Sequence, residues 1–384
     1  MAGPVTAPAG AAWSRRTFLV AVGAAGVSAA CGLDPNAGSA QEYDLGGTTQ
    51  LTILNWPSYI DPDGDAGPGT ISRAQTDLGL QITYLDEYTD NYDGYDLVVA
   101  NALNQPVPAY DIVMPTNWLA AQMIAASDVE PLPLELIPNH VNLDPQYMTN
   151  TWDRGSRFQM PWQAGITGLA YNPALTERPI TSFDDLFDPA LAGRVGIIGE
   201  MREAVGLAML ANGDDPSRPT EAAADAALQR VMDGVASGQI AAITFEDFAE
   251  KLETGELAAA MAWSGDAFSL LRRRPDIEFV IPDHGAIRWF DTMVIPRNSA
   301  NVAAAGAFMN YVYEPANGAR ITASGNYISP VIGVQDELRA TGFSELADDP
   351  VLFPDASTRN RLFTWGGLDL DFETTLDDRF NSML

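Results

Sequence analysis

Aromatic and acidic side chains lie close together or at predicted strand ends at several points of this 384-residue chain. Three of the six points directly follow a predicted strand, where the ligand clefts of α/β proteins are found. Each point alone is typical of core packing or of a helix cap, and ligand binding is the chemistry that the whole set could perform. The points are residues 55–59, 116–118, 200–203, 262–266, 288–291 and 326–327.

The residue types that catalysis needs are scarce. The two histidines, His140 and His284, belong to no metal-ligand spacing, and the sequence contains no G-x-S-x-G elbow, P-loop or G-x-G-x-x-G motif. The single cysteine, Cys31, is assigned to lipidation below and is therefore no nucleophile. We predict no catalytic residue, no metal and no cofactor. Hydrolysis by two carboxylates stays open, because an acidic chain offers many pairs.

Paired arginines, Arg15 and Arg16, precede a short apolar run over residues 18–30. This pattern is typical of a twin-arginine export signal, and the run is too short to span a bilayer. Small residues then precede Cys31, as at a lipoprotein cleavage site, although Ser28 stands where Leu or Val is usual. We predict a signal peptide at 1–30, followed by a lipidated Cys31 and a flexible tether over 31–48. An uncleaved anchor or a plain secretory peptide is the alternative.

The charge balance is strongly acidic, with 51 acidic and 21 basic residues and a net charge of −30. Such a surface repels nucleic acid and anionic lipid and attracts cations. We therefore expect no nucleic-acid partner, and membrane association only through the lipid at Cys31. Because no second cysteine is present, no disulfide can form within the chain and its stability must come from an apolar core.

Strand and helix patterns alternate along the chain beyond the tether. Short apolar runs predict strands at 51–54, 81–85, 110–114, 166–171 and 195–198. Amphipathic patterns predict helices at 220–235, 245–254, 266–274, 301–313 and 372–383. Strands that alternate with helices favour α/β lobes with largely parallel sheets.

Seven stretches, taken in order, resemble the bacterial periplasmic polyamine-binding proteins, the spermidine/putrescine receptors of ABC importers. They are residues 51–59 (LTILNWPSY), 110–123 (YDIVMPTNWLAAQM), 159–172, 182–198, 261–268, 285–296 and 353–357 (FPDAS). The resemblance covers about residues 50–384. It implies an α/β periplasmic-binding-protein fold of the type II-like kind, with two lobes joined by crossing hinge strands and a ligand cleft between them. Lobe one would be 49–164 with 291–338, and lobe two 165–290 with 339–384.

The same resemblance implies which residues touch the ligand. A polyamine needs carboxylates spaced to match its ammonium groups and apolar walls for its methylenes, and aromatic faces cover methylenes and attract cations. Asp291 would hold one terminal amine, Glu200 and Glu203 would serve the other end, and Thr116 would offer a hydroxyl. The implied ligand-binding residues are Trp56, Tyr59, Thr116, Trp118, Glu200, Glu203, Trp263, Trp289, Asp291 and Tyr327.

Three positions depart from the family pattern. The family commonly has Asp where Glu200 stands and often has Tyr where Trp118 stands. It can carry a ligand-contacting Gln where Gly366 stands. These departures leave open which polyamine would be preferred.

The resemblance implies an exported, monomeric receptor at the periplasmic or outer face of the cytoplasmic membrane. It would deliver putrescine- or spermidine-class polyamines to the permease and ATPase of an ABC importer. A receptor for another small cation, such as the quaternary amine glycine betaine, is the alternative within that class. The alternatives from other classes are a secreted hydrolase and a cell-surface adhesive domain.

Overall fold

The computed structural model describes residue 45 and residues 47–65, 67–88, 90–104 and 108–384. The predicted signal peptide at 1–30 and the predicted lipidation of Cys31 lie outside these residues, as does most of the tether. Among the described residues, no helix combines the length and the apolar character that a membrane crossing requires.

Ten strands and fourteen α-helices alternate along the described residues. The strands are β1 (Gln50–Leu54), β2 (Gln81–Leu85), β3 (Ile112–Val113), β4 (Gln159–Tyr171), β5 (Val195–Ile198), β6 (Ile240–Thr244), β7 (Ala259–Trp263), β8 (Glu278–Val280), β9 (Ala286–Val294) and β10 (Leu362–Phe363). The first seven helices are α1 (Thr70–Leu78), α2 (Asn91–Asn104), α3 (Asn117–Ala126), α4 (Pro173–Thr176), α5 (Met201–Asn212), α6 (Glu221–Ala236) and α7 (Phe248–Thr254). The others are α8 (Ser264–Arg273), α9 (Val302–Val312), α10 (Pro315–Gly325), α11 (Val334–Ala340), α12 (Ser344–Ala347), α13 (Ala356–Arg359) and α14 (Leu370–Asn381).

The predicted helices are confirmed with small shifts at their ends, because their end signals are local. Thr220 precedes α6 and accepts a hydrogen bond from the amide of Ala223, as an N-cap does. Gly255 ends α7 with a φ of 79°, a conformation that glycine adopts without strain. Two strands differ more from prediction. β3 is limited to Ile112–Val113, whereas β4 runs the full length of Gln159–Tyr171, buried throughout.

The strands follow the order β2-β1-β3-β9-β4-β7-β5-β6. At each end of this order the pairs are parallel, as predicted: β1 with β2 and β3, and β5 with β6 and β7. In the middle, β4 pairs antiparallel with β9, β7 and β8, so the largely parallel prediction fails there. The two long strands of this group, β4 and β9, run from one proposed lobe into the other.

Each lobe has its own apolar core. One cluster packs around β1 and the helices α1, α9 and α10, with Phe308 fully buried in it. The other packs around β5, α5 and α6 and includes Leu228 and Phe380. Leu346 and Leu352 pack in the first cluster, although they lie beyond residue 338, where the proposed lobe one ends. The C-terminal helix α14, by contrast, packs against lobe two.

Candidate functional site

The predicted site residues lie at strand ends and helix starts that face one another between the lobes. Trp56 and Tyr59 follow β1, and Thr116 follows β3 directly before α3. Trp289 and Asp291 lie on the crossing strand β9, and Trp263 ends β7. Glu200 and Glu203 lie at the start of α5, and Tyr327 follows α10. The carboxyl ends of parallel strands are where α/β folds place ligands.

Asp291 is one of two buried carboxylates at the centre of this region. Its Oδ1 accepts a hydrogen bond from Thr116 Oγ1 at 2.8 Å. Thr116 is itself fixed by Asn91, whose Nδ2 donates to Thr116 Oγ1 at 3.0 Å. Burial raises the pKa of Asp291 to about 7, while the hydroxyls of Thr116 and Tyr59 oppose that rise.

Glu203 is the second of these carboxylates. Its Oε2 accepts hydrogen bonds from the Thr167 hydroxyl and from Trp263 Nε1 at 2.7 Å. The Trp289 Nε1 in turn donates to Thr167 Oγ1 at 3.1 Å. Burial raises the pKa of Glu203 to about 7, and the charge of Asp291 adds to the rise. The two acids are therefore close enough to repel each other when both are ionised.

Three aromatic rings gather beside Asp291. The Tyr327 ring meets the edge of Tyr59, with 5.2 Å between centroids, and lies 5.6 Å from Trp289. The Tyr327 hydroxyl donates to Asp266 Oδ2 at 2.6 Å. Burial raises the pKa of Asp266 to about 6. The site therefore contains a third acid with a raised pKa, which is half-buried and whose hydrogen bond joins α8 to the segment after α10.

The structure places the other aromatic candidates differently. Trp56 Nε1 donates to the carbonyl of Met114 at 2.8 Å, and its ring lies 4.5 Å from that of Tyr88. One face of Trp118 is covered by the Arg202 guanidinium, 3.6 Å from the ring centroid. These contacts tie both indoles to neighbouring residues of the protein itself.

Glu200 lies at the edge of the site, one residue before α5 begins. Burial raises its pKa to about 8, Glu203 adds to the rise, and Arg202 opposes it. Gly366 has no side chain to offer a ligand, and its amide donates to the carbonyl of Pro216 at 2.9 Å. The ligand contact that the family can make at that position therefore has no counterpart here.

Three residues of the site were not selected from the sequence. Asp266 belongs to the 262–266 cluster, so its nearness to Trp263 was a usable signal. Asn91 and Thr167 carried no such signal, because their partners, Thr116 and Glu203, lie far along the chain. Polar side chains of this kind are common, and only the fold shows which of them meet.

The chemistry of the site follows from its charges. Among the described residues, Asp291, Glu203 and Asp266 form no ion pair with a basic side chain. A buried carboxylate is costly unless a positive charge compensates it. Acids with raised pKa values among aromatic rings therefore fit a ligand that brings its own positive charges and N–H donors.

Two lobes with separate cores, joined by crossing strands around a buried polar site, define a hinged solute receptor. The chain belongs to the bacterial extracellular solute-binding proteins, whose family model matches residues 74–352. It is 25% identical over 350 residues to the spermidine/putrescine-binding periplasmic protein of Escherichia coli (strain K12), covering 90% of this chain and 91% of the relative. It is also 25% identical over 338 residues to the putrescine-binding periplasmic protein PotF of the same organism, with coverages of 82% and 85%.

Solved structures agree on the fold. A putative spermidine/putrescine ABC transporter from Listeria monocytogenes superposes with a TM-score of 0.75 at 26% identity, covering 88% of this chain and 99% of the other. The spermidine/putrescine ABC transporter substrate-binding protein PotD from Streptococcus pneumoniae superposes with a TM-score of 0.73 at 23% identity, with coverages of 88% and 98%. The expected two-lobed fold is confirmed.

Proposed function

We propose that this protein captures linear polyamines of the putrescine/spermidine class outside the cytoplasmic membrane and delivers them to the permease and ATPase of an ABC importer. The observation that carries the proposal is the pair of buried acids, Asp291 and Glu203, whose pKa values are raised. Within the part of the chain that the structure describes, neither acid forms an ion pair with a basic side chain. Relatives named for spermidine and putrescine binding align over most of the chain, which supports the same ligand class.

Each end of such a ligand has a counterpart in the site. One primary ammonium would bind Asp291, and another would bind Glu203, with Glu200 nearby. The methylenes between them would lie against Trp289, Tyr327 and Trp263. The charge-assisted hydrogen bonds from ammonium to carboxylate are about twice as strong as neutral ones. They would offset the free-energy cost of burying the two acids without a positive charge nearby.

The hydrogen-bonding character of the acids favours primary amines over quaternary ones. Oε2 of Glu203 already accepts two bonds from the protein, and its remaining capacity suits an N–H donor. A quaternary ammonium has no N–H, so it would leave the remaining acceptor sites of the buried carboxylates unused. Glycine betaine and similar ligands are therefore the weaker candidates.

The delivery role includes an anchoring proposal that rests on sequence. Export through the twin-arginine route and acylation of Cys31 would hold the receptor, as a monomer, at the outer face of the membrane. The intact mass of the membrane-bound protein tests this, because a lipidated N-terminal cysteine adds the mass of its acyl groups. A mass that still includes residues 1–30 would contradict cleavage.

Titration calorimetry with putrescine, spermidine, spermine and glycine betaine tests the ligand class. We expect heat of binding with at least one polyamine. Asp291→Asn should weaken the binding of that polyamine by about 2–4 kcal/mol, the scale for removing one partner of a buried charge pair. Asp336→Asn is the matched control, since the Asp336 side chain is 87% exposed.

Two results would contradict the proposal in different ways. No heat with any polyamine down to affinities near 100 μM, about −5.5 kcal/mol, would remove polyamines as the ligand. Equal affinities of wild type and Asp291→Asn for a polyamine would mean that the ligand binds elsewhere.

A further inference from the structure

Four residues from both lobes meet at the edge of the cleft beyond Glu200. Tyr92, at the start of α2, and Trp118, at the start of α3, come from lobe one. Arg202, in the first turn of α5, and Asp377, in α14, come from lobe two. The family resemblance implies a ligand contact for Trp118 alone among them, and the binding mode proposed above uses none of the four.

Within lobe two, Arg202 is held rigidly. Its Nε donates to Glu373 Oε1 at 2.6 Å, and its Nη1 and Nη2 donate to the two oxygens of Asp377 at 3.1 and 2.8 Å. Arg202 is 3% exposed and both acids are buried with it. These contacts join the first turn of α5 to the C-terminal helix and fix where the guanidinium plane points.

Across the cleft, this fixed guanidinium meets lobe one. It lies 3.6 Å from the centroid of the Trp118 ring, well within the range of a cation–π contact. The other neighbour of Trp118 is Tyr92, whose ring centroid is 5.3 Å away. The Tyr92 hydroxyl donates to Asp377 Oδ2 at 2.6 Å, the same oxygen that accepts from Arg202 Nη2.

We propose that Tyr92, Trp118, Arg202 and Asp377 form an interlobe clasp that holds the lobes together around the ligand. Both contacts across the cleft need the lobes to be close, so they exist only in the closed conformation and shift the equilibrium toward it. The clasp also sets the position of the first turn of α5, which carries Glu203. Tyr92 is therefore a positioning residue, and its loss speeds ligand release.

Tyr92→Phe is the sharpest test because it removes one hydroxyl and leaves Asp377 paired with Arg202. Tyr95→Phe is its matched control. Tyr95 lies one turn further along α2, and its hydroxyl donates to Asp128 Oδ2 at the same distance of 2.6 Å. Tyr95 and Asp128 both belong to lobe one, so that bond does not cross the cleft.

Stopped-flow tryptophan fluorescence measures the dissociation rate of whichever polyamine binds the wild type. We expect Tyr92→Phe to raise that rate about fivefold to tenfold, since a smaller closed population releases ligand faster. The Tyr95→Phe rate should match wild type, and both variants should keep the thermal midpoint of the wild type within a few degrees. Equal rates in all three proteins, or equal increases in both variants, would overturn the clasp.

The clasp rests on the proposed function, but the two can fail separately. If the wild type binds no polyamine, the ligand class is wrong, and the clasp is then tested by small-angle scattering of the protein alone. There the clasp would keep part of the unliganded protein closed, so it requires a larger radius of gyration for Tyr92→Phe than for Tyr95→Phe. Superimposable curves for the two variants would overturn it.

Discussion

At the scale of single residues, the acids of the site have pKa values unlike those of surface carboxyls. Burial raises the pKa values of Asp291 and Glu203 to about 7 and that of Glu200 to about 8. A free protein near neutral pH therefore holds protons on part of this set. An ammonium ligand binds the ionised form, so binding must displace those protons.

Polyamine affinity should rise between about pH 6 and pH 8. Primary amines stay protonated over this range, since their pKa values lie near 10, whereas Asp291 and Glu203 lose their protons. Calorimetry at both pH values, in buffers of different ionisation enthalpy, should show tighter binding at pH 8 and proton release at pH 6. The difference in affinity between pH 6 and pH 8 should be smaller in the double variant Asp291→Asn, Glu203→Gln. A pH-independent affinity in wild type would contradict the proposal that these two acids bind the ligand.

The free energy of unfolding of the unliganded protein should fall as the pH rises, opposite to the polyamine affinity. A carboxyl whose pKa is raised by folding keeps its proton in the folded state after the unfolded state has lost it. These groups therefore stabilise the fold most at low pH, and their contribution falls as pH rises from about 4, the unfolded value, to about 7. A bound polyamine offsets that loss, so its stabilising effect should be larger at pH 8 than at pH 6.

At the scale of elements, the crossing strands β4 and β9 position the aromatic wall. Gly165 of β4 pairs in register with Trp289 of β9. A Cβ at Gly165 would lie 2.3 Å from Cζ2 of the Trp289 indole, so only glycine leaves room for that ring. The ring position in turn allows the bond from Trp289 Nε1 to Thr167 Oγ1.

Gly165→Ala should weaken polyamine binding by about 1–2 kcal/mol, the scale of one cation–π contact in a desolvated site. The added methyl displaces the indole and breaks its bond to Thr167. Gly64→Ala is the control, because nothing lies within 4 Å of the corresponding Cβ there. Calorimetry measures the affinity of both variants. An unchanged affinity in Gly165→Ala would mean that the Trp289 ring does not contact the ligand.

At the scale of the whole molecule, the site is built from both lobes. The Tyr327 hydroxyl reaches Asp266 across the cleft, and the two acids proposed to bind the ligand, Asp291 and Glu203, come from β9 and α5. A ligand that contacts both lobes favours the closed conformation, because only there can all its contacts form. Ligand capture and lobe closure are therefore one equilibrium.

Saturating polyamine should reduce the radius of gyration and change tryptophan emission, since Trp263 and Trp289 lie near the closing surfaces. Small-angle scattering with and without ligand measures the first, and fluorescence titration the second. Scattering curves that superimpose with and without ligand would refute closure, and Asp291→Asn at the same ligand concentration is the control for unbound protein.

Polyamine affinity should fall in high salt without vanishing, because salt screens charges more than aromatic contacts.

Much of this protein was predictable because its signals are local. Thr220 and Gly255 marked helix ends from their own residue types. The family resemblance pointed to Asp291, Glu203 and Trp289 as candidate site residues from the sequence alone, and it implied the two-lobed fold. The helix ends and the fold are confirmed, because caps, periodicity and short motifs are properties of neighbouring residues. The site residues stay a prediction.

Tertiary structure alone decided which distant side chains meet. It placed Asn91 against Thr116 and Thr167 against Glu203, and it set the Arg202 guanidinium over the Trp118 ring. It also made β4 and β9 antiparallel, where alternation had favoured parallel strands. The physical reason is that these contacts depend on how elements far apart in the sequence pack together, within one lobe or between the two, and that packing leaves no periodic or local trace along the chain.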